Sequence, residues 1–179
     1  MVRTGRYDSI AIFLHWAIAL LIIANVGLAW SLDLYDHHSP QHDRLLTIHK
    51  SIGTTVLLLA ALRLVWRWTH PVPPLPDGMP AWQRRAAQAS HVLLYAVMFV
   101  MPVSGLLDSQ AFSEPVHYFF LFDLPVFMAH NEPFGHVVFA IHKVTALLLY
   151  GLLLIHAGAA LYHHYVQKDD VLRRMLPGA

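Results

Sequence analysis

The stretch Ile141-His-Lys-Val-Thr-Ala-Leu-Leu-Leu-Tyr-Gly-Leu-Leu-Leu-Ile-His156 decides how the whole chain is read. It lies in an apolar run over 135–166, longer than the roughly 20 residues a helix needs to cross bilayer hydrocarbon. His142 and His156 stand fourteen positions apart within that run. At about 100° per residue this is only about 40° short of four full turns, so both imidazoles face one direction. Along the axis they are about 21 Å apart, too far to share one metal ion. Two groups stacked at two depths fit this spacing.

Working outward, three more runs are long enough to span: 10–32, 47–68 and 87–107. The first holds His15 as its one ionisable group before Asp33. The second carries Lys50 near one end and Arg63 and Arg67 near the other. The third contains His91 and Pro102, a residue that kinks helices. The predicted architecture is an all-α membrane protein, one four-helix bundle over 1–179.

Composition agrees with that reading. The 179 residues are 56% apolar and 13% charged, about half the charge of a soluble domain, with a mean hydropathy of +0.48. Disorder is excluded by the same figures. A net charge of +1 gives no general attraction to nucleic acid. The absence of cysteine removes disulfides, zinc–thiolate sites, iron–sulfur clusters and thiol nucleophiles. Fourteen histidines outnumber either class of charge.

The connecting segments set an orientation. Arg3, Arg6, Arg63, Arg67, Arg84, Arg85, Lys168, Arg173 and Arg174 fall on one side, with Arg44, Lys50 and Lys143 toward the other. The positive-inside rule then puts both termini of this multi-pass protein in the cytoplasm. The first apolar run exceeds the 7–15 residues usual in a signal peptide and reads as a retained anchor. His70-Pro-Val-Pro-Pro-Leu-Pro76 is expected to be an extended strap. The segment 112–134, rich in Phe and Pro, is expected to lie as a lid at the opposite interface. Gly27, Gly53, Gly105, Gly151 and Gly158 are expected at close approaches of helices or a bound group.

Depth sorts the histidines. His49 matches His142, and either His15 or His91 matches His156. A single histidine in a span is more often a hydrogen-bonded packing residue than a ligand. Four at two matched depths, two of them in helical register, point instead to paired imidazoles around porphyrin iron. Carboxylates are missing from the span interiors, against a cation pathway or a di-iron site.

With these motifs the chain resembles the bacterial cytochrome b561 family, related to the cytochrome b subunits of nickel hydrogenases and formate dehydrogenases. The motifs are Ile12-Phe-Leu-His15-Trp16, Ile48-His49-Lys-Ser-Ile-Gly53, Leu62-Arg63-Leu-Val-Trp-Arg67 and His163-His164-Tyr-Val-Gln-Lys168-Asp169, extended by Val171-Leu-Arg-Arg-Met-Leu-Pro177. The resemblance covers nearly the whole chain and is nearest to the stand-alone superoxide:ubiquinone oxidoreductase branch. It implies two haem b groups, His15 pairing with His156 at the inner one and His49 with His142 at the outer one. It also implies superoxide or another periplasmic donor, ubiquinone as acceptor, and lipid as surroundings.

Other residues have candidate roles beside bland ones. His91 and His163, with Lys168, are candidates for a quinone site; a stabilised helix end is the alternative for the last two. Arg63 and Arg67 suit haem propionates or snorkelling to headgroups. Lys50 and Lys143 suit attraction of an anionic donor. His37, His38 and His42 in Tyr35-Asp-His-His-Ser-Pro-Gln-His42-Asp43 suggest a surface metal site or a merely solvated loop. His117, His130 and His136 take no assigned role. Two rival functions stand beside the oxidoreductase: an anchor cytochrome b subunit relaying electrons for a partner oxidoreductase, and a haem-free metal or proton transporter.

Overall fold

The computed structural model describes residues 5–76 and 78–178; Arg3, counted above among the basic residues, lies outside them. Four long helices dominate: α1 (Ser9–Leu32), α2 (Pro40–Thr69), α3 (Ala81–Ala111) and α4 (Glu132–Tyr162). All four are long and apolar enough to cross a membrane. They run alternately up and down, α1 against α2 and α3 against α4.

Three of the four helices start ahead of their apolar stretches, each at a polar side-chain cap. Ser39 caps α2 through its side chain, with Pro40 in the first turn, so the helix starts seven residues before the apolar run at 47. Asn131 caps α4 in the same way, ahead of Pro133. Asp8 caps α1, accepting from the N–H groups of Ile10 and Ala11. α3 begins at Ala81 and continues through Pro102. Beyond Tyr162 the fourth span widens into a π-helical turn, His163–Gln167, closed by Lys168 in the left-handed conformation (φ 56°).

The strap is non-helical as expected, with the His70 ring stacked on Trp66 at 3.6 Å. The described terminal segments lie at one end of the bundle and are stitched together there. Tyr7 N–H donates to the Arg174 carbonyl (3.4 Å) and Trp16 Nε1 to the Met175 carbonyl (2.7 Å), while an Arg174 guanidinium nitrogen reaches the Pro74 carbonyl of the strap. We call this the terminal end.

At the opposite end the segment expected to be a lid folds into an antiparallel hairpin, β1 (Val116–Tyr118) with β2 (Phe122–Leu124). It packs on α2, and Val116 is fully buried. Its turn carries Phe119 (φ 47°) and Phe120 (φ 61°) in left-handed conformations that normally call for Gly or Asn.

Between the ends, Ile18, Ile22, Ile52, Val56, Val97 and Leu149 form the buried apolar layer. Outside it, the helices expose large apolar side chains, as lipid-facing surfaces do. The expectation for the glycines holds narrowly. A Cβ on Gly105 would press on His142, and one on Gly53 would make ordinary contact with Asn25. Gly27, Gly151 and Gly158 have no protein side chain within reach, so they are not points of helix contact.

Candidate functional site

α4 places His142 and His156 on one side at two levels, and the other helices answer at each. Near the hairpin end the rings of His49 and His142 have centroids 6.3 Å apart. Toward the terminal end His15 and His156 are 6.1 Å apart. His91 of α3 also sits against His156, at 5.7 Å, so the depth match left open between His15 and His91 is realised by both. The apolar layer of Ile18, Ile22, Ile52, Val56, Val97 and Leu149 occupies intermediate positions of the same helices.

These spacings can be tested against a metal between two imidazoles. With metal–nitrogen bonds of about 2 Å and a ring nitrogen about 1.1 Å from its centroid, two imidazoles facing each other across a metal would have centroids about 6 Å apart. Both pairs fit, as does His91 with His156 at 5.7 Å. At the hairpin-end level the surroundings also orient the ring. Nδ1 of His142 lies 2.9 Å from the Met101 carbonyl oxygen and 3.3 Å from Ser104 Oγ. A carbonyl only accepts, so Nδ1 carries the proton and Nε2 keeps its lone pair for a metal. Gly105 provides the space: an added Cβ would stand 3.1 Å from His142 Cε1 and 3.2 Å from Nδ1. Sequence reasoning did not find this cradle, because Met101 acts through its backbone.

Arg63 lies within electrostatic reach of His15, His91 and His156. Its Nε donates to Tyr95 Oη (3.2 Å) and its Nη1 to the Ala11 carbonyl (3.2 Å), which fixes it beside α1 and α3. Arg67 lines the same recess with Trp66, His70 and Tyr95, and bears electrostatically on His91.

The quinone candidates separate into different surroundings. His91 belongs to the imidazole cluster, whereas His163 is buried and holds Asp169 at 2.5 Å. Lys168 is exposed, its backbone closing the π-helical turn on the His163 carbonyl. Asp169, the last residue of a quoted motif, was given no role from the sequence; its place six residues after His163, behind a left-handed turn, carries no helical signature.

The two lysines also diverge. Lys50 pairs with Glu114 at 3.0 Å, so the small positive focus expected beside His49 is shared with a carboxylate. Lys143 lies over the Phe139 ring of its own helix, 4.9 Å from the centroid.

The loop reading of His42 is corrected. It is a buried residue of α2, because the Ser39 cap starts the helix before it. Its ring faces His37 at 5.0 Å, but among the described residues no three His, Asp or Glu side chains converge to hold a metal.

Four membrane-crossing helices carrying paired imidazoles at two levels define a membrane cytochrome for electron transfer. The chain belongs to the prokaryotic cytochrome b561 family, whose signature matches residues 6–178. It is 35% identical to cytochrome b561 homolog 2 of Escherichia coli over 96% of this chain and 91% of that protein. It is 33% identical to cytochrome b561 homolog 1 of the same organism, over 97% and 98%. A probable superoxide oxidase CybB of Yersinia pestis is 28% identical over 96% of both chains. Membership makes this a multi-pass bacterial inner-membrane protein, with b-type haem as the cofactor that the family implies.

Proposed function

We propose that the chain is a dihaem b-type cytochrome that oxidises superoxide on the periplasmic side and reduces ubiquinone. The observation that carries this reading is the occurrence of two imidazole pairs, with centroids 6.1 and 6.3 Å apart, at two levels of one helix. His15 and His156 hold the haem at the terminal end; His49 and His142 hold the one at the hairpin end. When bound, haem would supply a one-electron carrier at each pair. The excess of basic residues at the terminal end supports a cytoplasmic location for it.

This chain's own residues then divide the work. The Met101 carbonyl and the space over Gly105 fix the His142 ring. Arg63 and Arg67 offer positive charge to propionates at the terminal end. Lys143, with Lys50, attracts a small anion at the hairpin end. His91, and His163 backed by Asp169, with Lys168 beside the turn, supply protons to a quinone headgroup at the terminal end. Two superoxide anions each give up one electron and leave as oxygen. One ubiquinone takes both electrons and two protons to become the quinol.

The superoxide half draws on the relative from Yersinia pestis that carries the probable superoxide oxidase name. The test uses the purified chain. Two haem b per chain by pyridine haemochrome, together with superoxide-driven quinone reduction and no added subunit, is the expected result. A b-type spectrum with no such activity would reassign it as a relay subunit for a partner oxidoreductase. A spectrum without the b-type α-band would overturn the whole reading.

A further inference from the structure

The hairpin at the end opposite the termini does not stand above the bundle. The Phe119 N–H donates to Ser51 Oγ at 2.8 Å, and the Ser51 hydroxyl also approaches the His117 carbonyl at 3.2 Å. Ser51 lies eleven residues into α2, about 16 Å along its axis from Pro40 and past the level of His49. The Tyr118 hydroxyl reaches Thr55 Oγ1 at 3.0 Å, one turn further in. The chain therefore folds back down the side of α2 to the depth of the His49–His142 pair.

Main chain at that depth is tolerated only where its polar groups are satisfied within the protein. Here they are served by the ladder from Val116↔Leu124 to Tyr118↔Phe122, by Ser51, and by a turn bond from Leu121 N–H to the Tyr118 carbonyl (2.9 Å). Gln110 continues the pattern, donating to the Pro125 carbonyl (3.2 Å) and accepting from Phe127 N–H (2.9 Å). The side chains do the opposite: Phe120 is 59% exposed, Leu121 76% and Phe122 54%. Placing two phenylalanines in a left-handed turn is unfavourable; the Phe119 ring finds the edge of Tyr118 at 4.9 Å, whereas Phe120 stays mostly uncovered by the protein. On α2, Leu58 and Leu62 fall on the same helical face as Ser51, one turn or more deeper, and both are exposed. The apolar tip thus continues a lipid-facing stripe.

We propose that this hairpin is a re-entrant wedge, its tip of Phe119, Phe120, Leu121 and Phe122 seated in the acyl chains of the leaflet at its end of the bundle. His117 and Asp123 pair across the strands one rung from the tip, so the imidazole and the carboxylate serve each other there. The occupant of the exposed patch is lipid, and the inference holds whatever cofactor the helices carry.

The cysteine-free chain makes the test direct. Single-cysteine variants L121C and, as a second position, F120C carry a nitroxide label in the full chain, reconstituted in phosphatidylcholine–phosphatidylglycerol bilayers. L20C marks a span and L34C the connection between α1 and α2. The expected result is that apolar oxygen relaxes the tip labels several-fold more than a water-soluble nickel chelate does, as at position 20. Relaxation by the chelate matching that at position 34 would overturn the wedge and leave the patch open to water or to a soluble protein.

Discussion

His142 donates its Nδ1 proton to the main-chain oxygen of Met101 across the seam between α3 and α4, at 2.9 Å. One helix thereby fixes the tautomer and rotation of a ring carried by another. Support of this kind behind a metal-ligating histidine is worth about tenfold to a hundredfold in affinity or activity.

Gly105→Ala tests that support. Its Cβ would crowd Cε1 and Nδ1 of His142 at 3.1 and 3.2 Å, so the ring must shift by a few tenths of an ångström or lose its bond to Met101. The expected outcome is weaker retention of one haem of the two, by about tenfold or more, with the other unchanged. Haem titration of the purified variant measures it; equal retention of both would show that the glycine has no bearing on this ring.

His142→Ala should remove one haem and leave about half of the haem signal, since bis-imidazole ligation then has one member. His156→Ala should remove the other. Retention of both haems in either variant, read from pyridine haemochrome per chain, would show the pairing to be wrong.

Asp8 is expected to give a pH-dependent stability. Partial burial pushes its carboxyl pKa up, but hydrogen bonds from Ala11 N–H, Trp66 Nε1 and Ile10 N–H outweigh this and hold it below the ordinary 3.8. A carboxylate whose folded pKa is depressed stabilises the fold fully above its ordinary value, and that contribution fades as pH falls through the folded value. Asp8→Ala should therefore cost about 0.5–2 kcal/mol at pH 7, the usual worth of an N-cap. Thermal unfolding in detergent should show the deficit shrinking as the pH falls below 3.8; a deficit independent of pH would contradict the assignment.

Gly135→Ala overfills the start of α4, where an added Cβ would stand 2.5 Å from Phe112 Cε2. Phe112 is itself held between His130 and His136, at 6.1 and 5.8 Å. A loss of about 1–3 kcal/mol in stability is expected, with haem content retained. Calorimetry of the loaded protein reads it, and an unchanged transition would mean that Phe112 swings aside freely.

The helix starts show where more was legible than the apolar runs alone reveal. Ser39-Pro40 and Asn131-Glu132-Pro133 are capping signals written in the local sequence, and the structure uses both. The hairpin was not legible, because its turn carries Phe119 and Phe120 in place of Gly or Asn. It forms because Ser51, Thr55 and Gln110 bind it from two helices, and no local pattern announces such partners.

Four spans, and the common direction of His142 and His156, were determined by the sequence by itself, since hydrocarbon thickness and helical pitch act on neighbours along the chain. Which imidazoles meet was a tertiary decision. His15 and His91 share a depth, and only the packing of α1 and α3 around α4 brings both to His156. The same holds for the Met101 oxygen behind His142, the Glu114 partner of Lys50 and the Asp169 partner of His163. Depth in a membrane follows from counting residues; azimuth between helices follows from how their surfaces fit.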